Sequence, residues 1–251
     1  MNRRQEQELQ LLKENHFLSV KQLSEKMQVS EMTIRRDIQY LDKKKLAKQV
    51  FGGIKTVPII ANYDRDLELT INREQKIKIA KFAAKLVKDG DIVFFDTGTT
   101  VELIAEYLDK DLECTFITFS LPVINKLQKL KKSTLIVCGG KYSQKSNSFI
   151  SNEQALEIDK YRANKAFIGI TGFDYELGVT CSYIDEKSLK HALVTNSKEA
   201  IIVTDSSKFG NVSTCIFGRA DEFDKVITDA NIPNEYKLFL ENLGVEIIII
   251  T

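Results

Sequence analysis

The stretch VSEMTIRRDIQYLDKKKLAKQVFGG, residues 29–53, decides how the first part of the chain folds. Ser30 is a natural N-cap, because its hydroxyl can accept an orphan N–H of a helix's first turn. From there Ile34, Ile38 and Leu41 recur at i, i+4 and i+7, the buried stripe of an amphipathic helix reaching about residue 44. Residues 46–51 are strand-like, Gly52 and Gly53 supply a turn, and 54–57 return as a second strand. Outward from this core, residues 2–15 hold good helix formers with Leu9 and Leu12 on one face. Residues 20–27 repeat Val20, Leu23 and Met27 at helical spacing before 28–30 interrupt. Three helices followed by a hairpin predict a winged helix-turn-helix over residues 1–57.

The third helix presents Thr33, Arg35 and Arg36 opposite its apolar stripe, with Met32 in its first turn. A recognition helix places such N-terminal residues against base edges in the major groove. Arginine suits that position because its planar fork matches guanine O6 and N7, or two phosphate oxygens. The Ser30 and Thr33 hydroxyls can bind phosphate. Lys48 and Lys55 are expected to flank the hairpin tip and meet the DNA backbone. Taken alone, Arg35 and Arg36 are equally a solvated pair on a surface helix. Charge weighs against that: residues 1–57 carry 12 Lys/Arg against 7 Asp/Glu, although the whole chain is only +1. The remainder is net acidic. A basic head on an acidic body points to double-stranded DNA as the partner of the head alone.

With 251 residues, 43% hydrophobic and 28% charged, the chain is an ordinary globular protein long enough for a small and a large domain. Cys114, Cys138, Cys181 and Cys215 are widely spaced and form no C-x-x-C pair. With His16 and His191 the only histidines, no zinc-binding pattern exists, and no metal or cofactor is expected. The N-terminus is polar, and no apolar run approaches the ~20 residues of a membrane span. The expectation is a cytoplasmic protein with reduced thiols and no membrane partner.

Residues 58–70 (PIIANYDRDLELT) show no sustained periodicity and read as a linker. A lysine-rich amphipathic helix follows over 72–88. Beyond it, strand-like runs at 92–95, 115–118, 134–138, 166–170, 200–204, 225–228 and 245–250 alternate with helical stretches at 100–108, 121–130, 152–159, 185–197 and 234–243. Most strands are continuous apolar runs, as expected where both faces are buried. The fold class is therefore α/β: a winged helix-turn-helix followed by a larger domain, 71–251, with a mostly parallel sheet.

In that domain Asp96-Thr97-Gly98-Thr99-Thr100 directly follows a strand and opens a helix. Glycine permits close backbone approach, and a helix N-terminus favours an anion. The carboxyl end of a parallel strand is also where open α/β sheets bind ligands. The same five residues would serve a plain strand-to-helix turn.

Residues 29–53, with Thr33-Ile34-Arg35-Arg36-Asp37, Leu41 and Gly52-Gly53, resemble the helix-turn-helix of DeoR-type bacterial transcription regulators. The body resembles that family's sensor domain, which shares the ribose-5-phosphate isomerase and CoA-transferase-like fold. DTGTT looks like its phosphate loop. Thr118-Phe119-Ser120, Gly139-Gly140-Lys141, 166–169 ending in Gly169, Glu186 with Lys190, and 205–210 with Lys208 match further markers in order. The resemblance implies that Asp96, Gly98, Thr99, Thr100, Thr118, Ser120, Gly139, Gly140, Lys141, Gly169, Glu186, Lys190 and Lys208 serve a phosphorylated sugar effector. Lys208 remains either a point charge for phosphate or a surface lysine in a turn. The chain departs from the family at Lys45 and Phe51 in the head and at Phe119 and Ser151 in the body. The first pair bears on a helix cap and a wing contact. The second pair is expected to narrow the effector pocket.

The resemblance implies a repressor of a sugar-metabolism operon that acts as a homo-oligomer and is released by a phosphorylated sugar. The alternative is a sugar-phosphate isomerase or transferase with an accessory head. No Ser-His-Asp set is present, and His191 reads as a solvated or capping residue. Whether any two of Asp96, Asp185, Glu186 and Asp205 meet as an acid–base pair is open, so no catalytic residue is assigned.

Overall fold

A computed structural model describes the chain except for residues 16, 45, 51, 56–58, 61, 62 and 152. The chain divides into two compact units, Met1–Pro58 and Ile59–Thr251.

The first unit runs α1 (Arg3–Asn15), β1 (Phe17–Ser19), α2 (Val20–Met27), α3 (Glu31–Lys43), β2 (Lys48–Val50) and β3 (Gly53–Lys55). Ser19 and Gln22 cap α2 reciprocally, and Gln28 ends it in the left-handed conformation. Ser30 caps α3 as expected, with its hydroxyl accepting from Thr33 N–H. Leu12, Leu23, Ile34, Leu41 and Ile54 are fully buried and form the core where these helices meet. Strand β1 was not anticipated: three residues are too few to show alternation, and the strand exists because β3 pairs with it antiparallel, in the order β1-β3-β2. The expectations placed on Lys45 and Phe51 lie outside the described residues.

The second unit opens with β4 (Ile59–Ile60), α4 (Arg65–Glu68) and α5 (Arg73–Ala84). Then follow β5 (Ile92–Phe95), α6 (Thr99–Glu106), β6 (Thr115–Thr118), α7 (Leu121–Leu127) and β7 (Thr134–Val137). A hairpin of β8 (Lys141–Ser143) and β9 (Ser148–Ile150) leads to α8 (Gln154–Ile158) and β10 (Ala163–Ile168). Next are β11 (Gly172–Asp174), β12 (Gly178–Cys181), α9 (Ile184–Thr195) and β13 (Ser197–Val203). The chain closes with β14 (Val212–Ser213), β15 (Cys215–Gly218), β16 (Lys225–Asp229), α10 (Asn234–Asn242) and β17 (Glu246–Ile250).

Seven strands form a parallel sheet in the order β17-β16-β13-β10-β5-β6-β7. They are the seven strands expected from the sequence, with ends shifted by up to three residues. Alternate residues feed two cores. Val93, Phe95, Phe167 and Ile201 pack with Ile79, Ala83 and Ile104 of α5 and α6, whereas Phe94, Ala166, Ile168 and Ile202 pack with Leu189, Leu193 and Leu240 of α9 and α10. Burial on both faces is why the inner strands lack alternation, whereas β7 and β17 at the edges are only partly buried. From β5 the chain steps outward to β7, then returns to lay β10 against the other side of β5. The order reverses there, and a crevice at the carboxyl ends of β5 and β10 follows from that reversal.

The stretch 58–70 is not a free tether. Ile59 and Ile60 pair parallel with Val212 and Ser213 of β14, and Asp64 caps α4. Residues 58, 61 and 62 lie outside the described residues.

Candidate functional site

Two surfaces carry the residues singled out in the sequence. In the first unit, Met32, Arg35 and Arg36 are exposed on one side of α3, while Ile34, Asp37 and Ile38 are buried on the other. Arg35 lies 3.7 Å from Glu31, one turn back, at an exposed position where such a pair contributes little. The Ser30 and Thr33 hydroxyls are 2.9 Å apart. Asp37 accepts from Arg4 Nε at 2.6 Å and Gln5 Nε2 at 2.8 Å, which fastens α1 to the back of α3. Lys48 and Lys55 are direct partners across β2 and β3, at the end of the hairpin away from the turn. They therefore do not flank the tip as expected. Their register puts both on one face at the hairpin's base, because side chains opposite one another share a face.

The second surface is a narrow cleft in the second unit, with about 40 Å³ of accessible space. Gly98 after β5 and Gly169 after β10 line it, with Thr97, Thr171, Ser182, Glu186 and Lys190. The two glycines are required by a close crossing. Gly98 holds φ +128°, and a Cβ on Gly169 would stand 2.4 Å from Thr97 O. The crossing brings Asp96, at the end of β5, under the cleft. Asp96 is fully buried; its Oδ2 accepts Gly169 N–H at 2.9 Å and pairs with Lys190 Nζ. Lys190 also donates to Gly169 O at 3.0 Å. Burial would depress the Lys190 ammonium, but the Asp96 and Glu186 carboxylates outweigh it and hold it above the ordinary lysine value. Glu186, one turn before Lys190 on α9, accepts from Thr97 Oγ1 at 3.3 Å. Burial, reinforced by the charge of Asp96, pushes the Glu186 carboxyl up to about 7, with Lys190 opposing.

The cleft thus joins Gly98, Gly169, Glu186 and Lys190, with Asp96 beneath them. The remaining expected residues do not line it. Thr99 and Thr100 are buried in the first turn of α6. Thr118 Oγ1 donates to Phe95 O and accepts Ser120 N–H, which ties β6 to β5. Gly139, Gly140 and Lys141 lie between β7 and β9, where a Cβ on Gly140 would strike Ile150 O at 2.6 Å. Lys208 is buried and donates to Glu68 Oε1 at 2.7 Å, so it is not the surface lysine of a turn, and it does not line the cleft. The departures at Phe119 and Ser151 do not narrow the cleft: Phe119 is fully buried in the core, and Ser151 N–H donates to Gln154 Oε1 instead.

Sequence reading missed Thr171 and Ser182, and also Tyr63, Arg65, Ser146, Ile170 and Tyr183, which complete the lining. Tyr63 and Tyr183 meet edge to face with ring centroids 6.1 Å apart. Arg65 pairs with Glu102 of α6. An aromatic and an arginine inside an aperiodic stretch were the available signal. Among the described residues, no helix is long and apolar enough to cross a membrane.

A family model described as the DeoR-like helix-turn-helix domain matches residues 4–58, and one described as the DeoR C terminal sensor domain matches residues 71–230. The chain is 32% identical over 219 residues to the HTH-type transcriptional regulator IolR of Bacillus subtilis (strain 168), covering 87% of each chain. It is 30% identical over 244 residues to the deoxyribose operon repressor of Escherichia coli (strain K12), covering 95% of this chain and 94% of that one. Among solved structures, the full-length sorbitol operon regulator SorC from Klebsiella pneumoniae aligns with a TM-score of 0.44 at 13% identity, covering 89% of this chain and 94% of that one.

Proposed function

Because the chain belongs to the DeoR family of DNA-binding transcription regulators, we propose that it is a cytoplasmic repressor of a sugar-metabolism operon, released from its operator by a phosphorylated sugar. The operator is read by α3, with Arg35 and Arg36 on base edges and Ser30, Met32, Thr33, Lys48 and Lys55 around them. The body binds the effector and joins copies of the chain, since one winged helix reads only a half-site.

The effector assignment rests on how α6 begins. Gly98 lines the cleft and is the N-cap of α6, so no side chain accepts the first-turn N–H groups. A helix opening without a side-chain acceptor favours an anion, by those N–H groups and by the helix dipole. Glu186 and Lys190 then stand within the same cleft to meet sugar hydroxyls. A sugar-phosphate isomerase or transferase would share the fold but has no use for a head matched by a DNA-binding domain.

The test is titration of the full chain with an operator duplex at fixed salt, with and without a panel of sugar phosphates, alongside thermal melting. A matching phosphate should raise stability by mass action, about 2.7 kcal/mol at a hundredfold excess over Kd, and weaken operator binding. A response to neutral sugars and none to sugar phosphates overturns the assignment.

A further inference from the structure

Residues 59–68 follow the head in the chain, and two of them, Tyr63 and Arg65, line the ligand cleft. We propose that this strap senses the effector, and that Arg65 exchanges its Glu102 partner for the effector's phosphate. The inference rests on the cleft being the phosphorylated-sugar site.

The strap is fastened at three places. Its start pairs with β14 through Ile59 and Ile60. Its end is locked by a buried cluster: Glu68 Oε1 accepts from Lys208 Nζ at 2.7 Å, Glu68 Oε2 from Lys76 Nζ at 3.2 Å, and Glu68 O from Lys76 Nζ at 2.6 Å. Lys76 and Lys208 are both buried, so releasing Glu68 would take the carboxylate from Lys208 and leave Lys76 with Asp205 alone, 3.8 Å away. The middle is different. Tyr63 and Arg65 line the cleft, and the carboxylate paired with Arg65 is Glu102, in the first turn of the helix whose opening favours the anion.

Glu102 and a phosphate at Gly98 therefore compete for one guanidinium. A phosphate carries more charge than a carboxylate and offers the same bidentate geometry. Burial already raises the Glu102 carboxyl against the pull of Arg65, so losing Arg65 favours its protonation and eases the exchange. Moving Arg65 moves α4 against the Glu68 latch at its far end, and the chain before α4 leads through β4 to the head. The 205–210 motif then has a definite role: Lys208 anchors the strap.

The experiment uses the full chain, a panel of hexose and pentose monophosphates, inorganic phosphate and neutral sugars, and an operator duplex selected from random sequence. Calorimetry gives the sugar-phosphate Kd with and without operator; their ratio is the coupling factor. Arg65→Met should weaken sugar-phosphate binding roughly 30-fold, with partial rescue by Arg65→Lys. Glu102→Gln removes the competitor and should tighten binding. Glu68→Gln should keep Kd within about twofold while driving the coupling factor toward 1. Lys208→Met should do the same, which separates loss of the latch from loss of one side chain's fold. Melting curves check that each variant is folded. If wild type binds no sugar phosphate, the cleft assignment itself falls. If wild type binds and Arg65→Met binds equally well, or both latch variants retain full coupling, the strap mechanism alone is overturned.

Discussion

Replacing Lys190 by methionine tests whether the centre of the cleft is a built ion pair. Asp96 is fully buried, and its contacts are Gly169 N–H at 2.9 Å, Thr97 Oγ1 at 3.5 Å and the ammonium. Methionine keeps the volume of the stem and removes the charge, which leaves a buried carboxylate with no cation. Breaking a buried pair from one side costs about 3–5 kcal/mol. For a unit of this size about 2–4 °C is lost per kcal/mol, so the sensor transition should fall by about 6–20 °C. The sign with pH is a second check. Burial already holds the Asp96 carboxyl above its ordinary value against the pull of Lys190, and losing that ammonium raises it further, so the native state of the variant holds the proton more tightly. The deficit against wild type should be largest near pH 8 and shrink toward pH 5. Asp96→Asn combined with Lys190→Met should recover part of the loss. Scanning calorimetry at both pH values is the assay. A deficit under about 1 kcal/mol with no pH trend would refute the pair as a structural element.

Three further outcomes follow from the same structure. Arg35→Ala and Arg36→Ala should each cost roughly 1–3 kcal/mol of specific operator affinity at fixed salt, and unchanged binding by the double variant would remove α3 as the reader. Glu186 titrates near 7 in the fold, well above an unfolded glutamate, so its penalty is absent below about pH 4.5 and complete above 7; the sensor should lose about 3 kcal/mol across that window, and Glu186→Gln should flatten the profile. A fragment 59–251 should melt higher than 71–251, because the shorter one takes Glu68 from Lys208 and leaves Lys76 with Asp205 alone; equal melting temperatures would mean that the cluster contributes nothing.

The central sheet was legible because its physics is local and repetitive. A strand covered on both faces reads as an apolar run, as the inner strands β5, β6, β10, β13 and β16 do, and all seven expected strands are in the sheet. The short strands β8, β9, β11, β12, β14 and β15 left no such trace. They are two to four residues long and owe their conformation to partners elsewhere, as Gly172 does to Thr180 and Cys181 to Cys215. The cleft was half legible. Gly98 stands in a loop that follows a strand and opens a helix, which located it, and the family resemblance located Gly169, Glu186 and Lys190. Lys208 was misjudged because a lysine beside glycine looks like a turn, and its carboxylate partner is 140 residues away in a stretch without periodicity. Tyr63 and Arg65 were missed for the same reason: α4 is one helical turn, too short to show a stripe.

The reversal of strand order also dictates when the site can exist. During synthesis β5, β6 and β7 emerge first, and β5 then waits with Val93, Phe94 and Phe95 along an open edge until β10 arrives some 70 residues later. An unpaired edge of that composition is a place where nascent chains stick to one another. The Gly98–Gly169 crossing cannot form before that moment, and Asp96 has no ammonium to meet until α9 has followed. A ligand that needs both loops therefore has nothing to hold on a half-made chain. Any stabilisation that such a ligand gives the fold can begin only after residue 190 has left the ribosome.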